Sequence, residues 1–179
     1  MKPREILEAF DAFLLTRGLS LEAVVVGGAA LNLLGVITRP TKDCDIIHPA
    51  LPPTILEAAR EFATGAIGTS EALATDWLNN GPSQLTAILP GDWMQRLEPA
   101  FAGRAITLRS LGRADLLKTK LFALSDRAID LQDCVALAPT ADEIRDATVW
   151  LETQGGNPDW PTHVRATPAD LERRLGHGL

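Results

Sequence analysis

The chain has 179 residues, 46% of them hydrophobic, and a formal net charge of −6. That apolar fraction supplies a packed core and excludes a disordered chain, and the length suits one domain or one domain with a helical extension. An acidic balance, with a pI near 5.0, argues against broad nucleic-acid binding driven by net charge but not against a local basic groove.

In chain order, residues 3–17 read as a helix, with Pro3 in its first turn, a stripe of Ile6, Phe10, Phe13 and Leu14, and Gly18 as its stop. Residues 22–26 form a short strand apolar on both faces, hence central. Ala29 to Leu34 is a short helix ended by Gly35, and residues 43–47 are a second strand. Pro52-Pro53-Thr54 open a helix to about Phe62. Ser70 to Leu78 is expected as a short helix, Gln84 to Leu89 as a strand, Trp93 to Leu97 as a short strand pairing back, and Ala105 to Leu108 as a further strand. Helices follow: Arg113 to Leu124, then Ala128 to Leu137 as a second helix or a continuation. A third runs from Pro139-Thr140 to about Thr153, with Thr140 and Glu143 at capping-box spacing. Gly155 to Pro158 reads as a linker, and Thr167-Pro168 as the start of a last short helix. A mixed sheet followed by helices gives an α+β (mixed α/β) class with an appended helical half. The expected division is 1–110 as a core with an N-terminal helix, 111–155 as a helical half completing the site, and 156–179 as a tail.

Cys44 and Cys134 have no zinc or redox spacing, which points to free thiols in the cytoplasm. The first residues, Met1 to Glu5, lack an apolar signal core, and no apolar run is long enough to span a membrane.

The chemistry concentrates in two stretches. Val24-Val25-Val26 breaks at Gly27-Gly28 and restarts as an apolar helix. Glycines at a strand-to-helix turn let backbone N–H groups approach a phosphate. Downstream, Asp43-Cys44-Asp45 places two carboxylates on one face of a strand, with Cys44 on the other. Carboxylates held that close repel unless a cation lies between them, and such oxygen ligands suit Mg²⁺. Arg39 precedes the strand, either as a loop charge or as a bidentate phosphate donor. Thr41 points to the Asp43 face if the strand begins early.

These residues resemble the nucleotidyltransferase superfamily that shares the DNA polymerase β palm. Its pattern is an apolar residue, Gly, then Gly or Ser, a spacer, and Asp-x-Asp on a strand. Here the pieces are Val26-Gly27-Gly28, fourteen intervening residues, and Asp43-Cys44-Asp45-Ile46. The Arg-x-Thr lead-in at Arg39 to Thr41 is similar to the AbiEii-like group, toxins of bacterial abortive-infection and toxin–antitoxin pairs. So is Lys118 to Leu124 followed by Arg127, Asp130 and Asp133. That resemblance implies Lys120 as a phosphate-contacting lysine, Asp130 as a catalytic acid and Asp133 as its support one helical turn on. From the residues alone, Lys120 lies in an apolar stripe and needs a partner. A structural ion pair with Asp130 or Asp133 is the alternative.

The expected activity is a metal-dependent transfer of an NMP from an NTP to an acceptor hydroxyl, on tRNA or another RNA end or on protein. Mg²⁺ or Mn²⁺ would be held by Asp43 and Asp45. Catalysis would include Asp130, and nucleotide binding would use Gly27, Gly28, Arg39, Thr41, Lys120 and Asp133. An antitoxin protein is the implied partner. The alternatives are a small-molecule, antibiotic-modifying type of nucleotidyltransferase, an inactive nucleotide- or partner-binding module, and a structural protein with a coincidental motif. Many superfamily members carry a third carboxylate on a later strand. The expected strands at 84–89 and 105–108 have none.

Overall fold

The computed structural model describes residues 1–65, 73–155 and 157–177. The chain divides into two compact units, Met1–Leu111 and Gly112–Leu179. Among the described residues there are five strands in one mixed sheet and seven α-helices, the α+β class expected of a nucleotidyltransferase-like fold.

In the first unit, α1 (Pro3–Thr16) precedes β1 (Leu21–Val26), α2 (Gly27–Leu33), β2 (Cys44–His48) and α3 (Pro53–Gly65). β3 (Leu78–Asn79), β4 (Glu98–Ala102) and β5 (Ile106–Ser110) complete the sheet, in the order β3-β2-β1-β5-β4. β1 is central, antiparallel to β2 and parallel to β5. Its residues Ala23, Val24, Val25 and Val26 are all buried, as a strand covered on both faces requires. α1 packs on α3 through an aromatic group in which Phe10 meets Trp77 edge-on at 5.1 Å and Phe62 at 5.3 Å. The Trp77 indole N–H donates to the Ala59 carbonyl at 3.2 Å, so its one polar atom is satisfied inside the core.

Between α3 and β5 the structure departs from the pattern. Residues 73–78 are not helical, and positions 70–72 of that expected helix lie outside the described residues. The expected strands at 84–89 and 93–97 are single 3₁₀ turns, Ser83–Ala87 and Trp93–Arg96. The strand that does form, β4, begins at Glu98-Pro99. Proline lacks a ladder donor, and β4 accommodates it as an edge strand with a register irregularity between Pro99 and Phe101.

The second unit contains α4 (Arg113–Arg127), α5 (Leu131–Ala136), α6 (Ala141–Glu152) and α7 (Trp160–Leu175). Thr140 caps α6, with Glu143 closing the capping box. α7 packs on α4, α5 and α6. It starts at Trp160-Pro161, not at Thr167, and carries Pro168 in its interior. The reason is packing. Val164, Pro168 and Leu171 follow helical spacing and are all buried, which outweighs the intrinsic cost of an internal proline.

Candidate functional site

The first unit brings four of the expected residues together where β1 ends. The antiparallel register sets Asp45 opposite Val26, one residue before Gly27. Gly27 has φ +70°, a left-handed conformation that favours glycine. A Cβ there would stand 3.0 Å from Asp45 Oδ2, so the missing side chain also makes room for the carboxylate. A Cβ on Gly28 would come within 3.1 Å of the Thr41 methyl. Thr41 is buried and precedes β2. Its Oγ1 donates to the Asp43 carbonyl at 3.2 Å, and its N–H donates to the Met1 carbonyl at 2.9 Å. Thr41 therefore shapes the turn before the strand.

Asp43 lies just before β2 and Asp45 within it. Both are half-buried, and Cys44 between them is fully buried, as alternation requires. The Asp43 carboxylate makes no hydrogen bond or ion pair among the described residues. Burial, then the charges of Asp45 and Asp43, push the Cys44 thiol well above its ordinary value, so it stays protonated and unreactive. Arg39 is exposed, and its carbonyl accepts from Asn32 Nδ2 at 3.0 Å.

The same register exposes what the sequence reading passed over. Val24 and Val26 share a face of β1. His48 lies opposite Val24 from β2, and Arg109 lies opposite it from β5. No carboxylate occurs in β5, and the outward positions there are Thr107 and Arg109. The alternation in Ile106–Ser110, buried at 106, 108 and 110, was the available signal.

In the second unit, Lys120 of α4 meets both acids expected near it. Its Nζ donates to Asp130 Oδ2 at 3.0 Å and to Asp133 Oδ2 at 2.8 Å. The lysine and Asp133 side chains are 6% and 1% exposed, whereas Asp130 is 26% exposed. The backbone makes this possible by breaking the helix. Ala128 and Asp130 adopt left-handed φ of 55° and 72°, which turns the chain between α4 and α5 and returns both carboxylates to Lys120. Non-glycine residues in that region cost energy and mark a conformation held by its surroundings. One ammonium between two carboxylates leaves this cluster at −1. Burial, followed by the Asp130 charge, pushes the neighbouring Cys134 thiol up to about 12. His163 packs on Trp160 at 5.9 Å, with Nε2 3.1 Å from the Ser125 carbonyl.

No helix among the described residues is long and apolar enough to cross a membrane. No curated protein and no solved structure gives a significant match to this chain. One family model does, over residues 4–138, which include both Gly27–Asp45 and Lys120–Asp133. The chain therefore belongs to the family described as nucleotidyltransferase of unknown function (DUF6036).

Proposed function

We propose that this nucleotidyltransferase moves an NMP from an NTP to an acceptor hydroxyl in a divalent-metal-dependent reaction. The observation that carries the reading is the junction of Gly27 and Asp45: a left-handed glycine whose missing side chain accommodates a strand carboxylate, with the unpartnered Asp43 carboxylate two residues before it. The donor set fits Mg²⁺ or Mn²⁺. Among the described residues no group of three or more His, Cys, Asp or Glu converges, and Mg²⁺ commonly takes one or two carboxylates, with phosphates and water completing its shell. Asp43 and Asp45 would hold the ion, which when bound neutralises the phosphates and polarises the phosphoryl group.

The protein's own work is positioning. Gly27 and Gly28 keep their turn free of side chains for the phosphates, Thr41 shapes the turn that leads into Asp43, and Arg39 supplies a guanidinium to the anion. In the AbiEii-like reading, Lys120 contacts phosphate, Asp130 is the assisting acid and Asp133 supports it. The acceptor is then an RNA end such as tRNA or a protein hydroxyl, and the chain is a toxin with an antitoxin partner. A second reading of Lys120 is favoured by its two ion pairs, which make it a strut that holds Asp130 and Asp133 together.

The test incubates the protein with each α-labelled NTP, Mg²⁺ and total RNA or cell lysate. Label should appear on an acceptor with release of pyrophosphate, and Asp43→Ala with Asp45→Ala should abolish both. Undiminished transfer in the double variant would overturn the metal-site assignment.

A further inference from the structure

On the sheet face that carries Asp45, the first unit has an open cavity of about 310 Å³. That volume is at the lower end of small-molecule sites. Its lining includes Glu22 and Val24 of β1, His48 of β2, Arg109 of β5, and Met94 and Leu97 from the segment before β4. Glu22, His48 and Arg109 are exposed, and Met94 is 50% exposed although apolar. Neither Glu22 nor Arg109 makes a side-chain hydrogen bond or ion pair among the described residues. Trp93, itself buried, meets the His48 ring edge-on at 6.1 Å and holds it at the rim.

The lining restricts the chemistry of a ligand. One guanidinium balances one carboxylate, so a polycation finds too few acids and a phosphate backbone too few bases. A molecule with one anionic and one cationic group satisfies both. Arg109 takes a carboxylate through paired N–H donors, and Glu22 takes an ammonium. Between the charges, Val24, Met94 and Leu97 offer an apolar wall, and a methionine thioether favours an aromatic ring. Register sets the distance to Asp45. Arg109 is level with Val24 on one side of β1 and Asp45 with Val26 on the other, so two residues and two strand spacings separate their backbones, roughly 12 Å. The extended Arg109 side chain and one para-substituted ring together span that gap.

We infer that this cavity is the acceptor subsite, and that it takes a free, zwitterionic aromatic amino acid bearing a hydroxyl, with its charged end on Arg109 and Glu22 and its hydroxyl toward Asp45. The inference rests on the nucleotidyl-transfer reading and selects a small acceptor over RNA or protein, because a residue inside a polypeptide has neither charge. In the reaction the phenolic oxygen forms a bond to the α-phosphorus of the NTP. The bond from that phosphorus to the bridging oxygen breaks, pyrophosphate leaves, and the phenolic proton passes to water.

L-tyrosine is the probe. Calorimetry on the full chain should show saturable binding without nucleotide. Binding should weaken about ten- to a hundredfold in Arg109→Gln and in Glu22→Gln, both exposed positions where folding survives. Tyramine, which lacks the carboxylate, should bind wild type and Arg109→Gln alike. 3-(4-Hydroxyphenyl)propionate, which lacks the amine, should not distinguish Glu22→Gln from wild type. A parallel titration uses Mg²⁺ with a non-hydrolysable NTP. Nucleotide binding without tyrosine binding overturns the subsite and leaves nucleotidyl transfer standing. Tyrosine binding without nucleotide binding supports the pocket and overturns the transfer reading. Labelling of RNA but not of tyrosine by α-labelled NTP also overturns the subsite.

Discussion

Gly27 meets two demands at one atom. Its φ of +70° penalises any side chain, and a Cβ there would stand 3.0 Å from Asp45 Oδ2. Gly27→Ala should therefore cost about 1–2 kcal/mol from the backbone alone. If Asp45 serves the metal, the displaced carboxylate should also weaken Mg²⁺–nucleotide binding at least about tenfold, since about 1.4 kcal/mol is one decade. A melting curve and a nucleotide titration separate the two effects. A lowered Tm with unchanged affinity per folded molecule would make Gly27 only a turn. This part of the site was legible from sequence because backbone and side-chain chemistry coincide there. Glycine marks the turn, and two acids one residue apart mark the strand. Glu22, His48 and Arg109 were not legible as a group, because only strand register brings them to one face.

At the scale of elements, α1 is tied to the β4–β5 hairpin by a single carboxylate. Asp11 is buried, and its Oδ1 accepts from the N–H groups of Ala105 at 2.8 Å and Ile106 at 2.7 Å, while Oδ2 accepts from Arg104 N–H at 3.1 Å. Burial pushes the Asp11 carboxyl up, but the three backbone donors and the Arg104 charge outweigh it and hold it below its ordinary value. A carboxyl lowered on folding stabilises the protein above its unfolded pKa, and that stability is lost as pH falls through the lower folded value. Asp11→Asn should cost about 1–3 kcal/mol at neutral pH, and its deficit relative to wild type should shrink in acid titrations below about pH 4. A deficit constant with pH would mean that the charge is not the source. Gly103 is fitted to the same clamp. An ideal Cβ there would lie 2.2 Å from Asp11 Oδ1, so Gly103→Ala must break the hydrogen bonds. The two substitutions remove one interaction, and denaturant melts of the double variant should show less than the sum of the single losses. Full additivity would contradict the shared clamp. The elements that sequence misplaced have a common cause. Pro99 and Pro168 argue locally against a strand and a helix interior, yet an edge position admits the first and a buried stripe with Val164 and Leu171 stabilises the second. Conversely, residues 84–89 and 93–97 have strand-like composition but close into 3₁₀ turns. Thr140 and Glu143 were legible because a capping box is local.

At the scale of the molecule, the second unit carries its own core, with Leu116, Leu121, Ile144, Leu151, Val164 and Leu171 all at 1% exposure or less. A core of this size rarely supplies more than about 3–5 kcal/mol. Lys120 sits inside it between two acids, and removing one partner of a buried charge cluster costs about 3–5 kcal/mol. The two magnitudes are equal, so the role of Lys120 can be read from which part of the chain responds to its loss. As a strut, Lys120→Ala should open residues 112–177 to hydrogen exchange, while α1 and β1 keep their protection. Adding Asp130→Asn and Asp133→Asn should restore protection by removing the uncompensated charges. As a phosphate ligand, Lys120 should be dispensable for exchange protection, and its loss should weaken NTP binding about ten- to a hundredfold through a charge-assisted hydrogen bond. Segment-resolved exchange and an NTP titration on the same variants distinguish these outcomes. Intact protection with unchanged NTP affinity would defeat both readings.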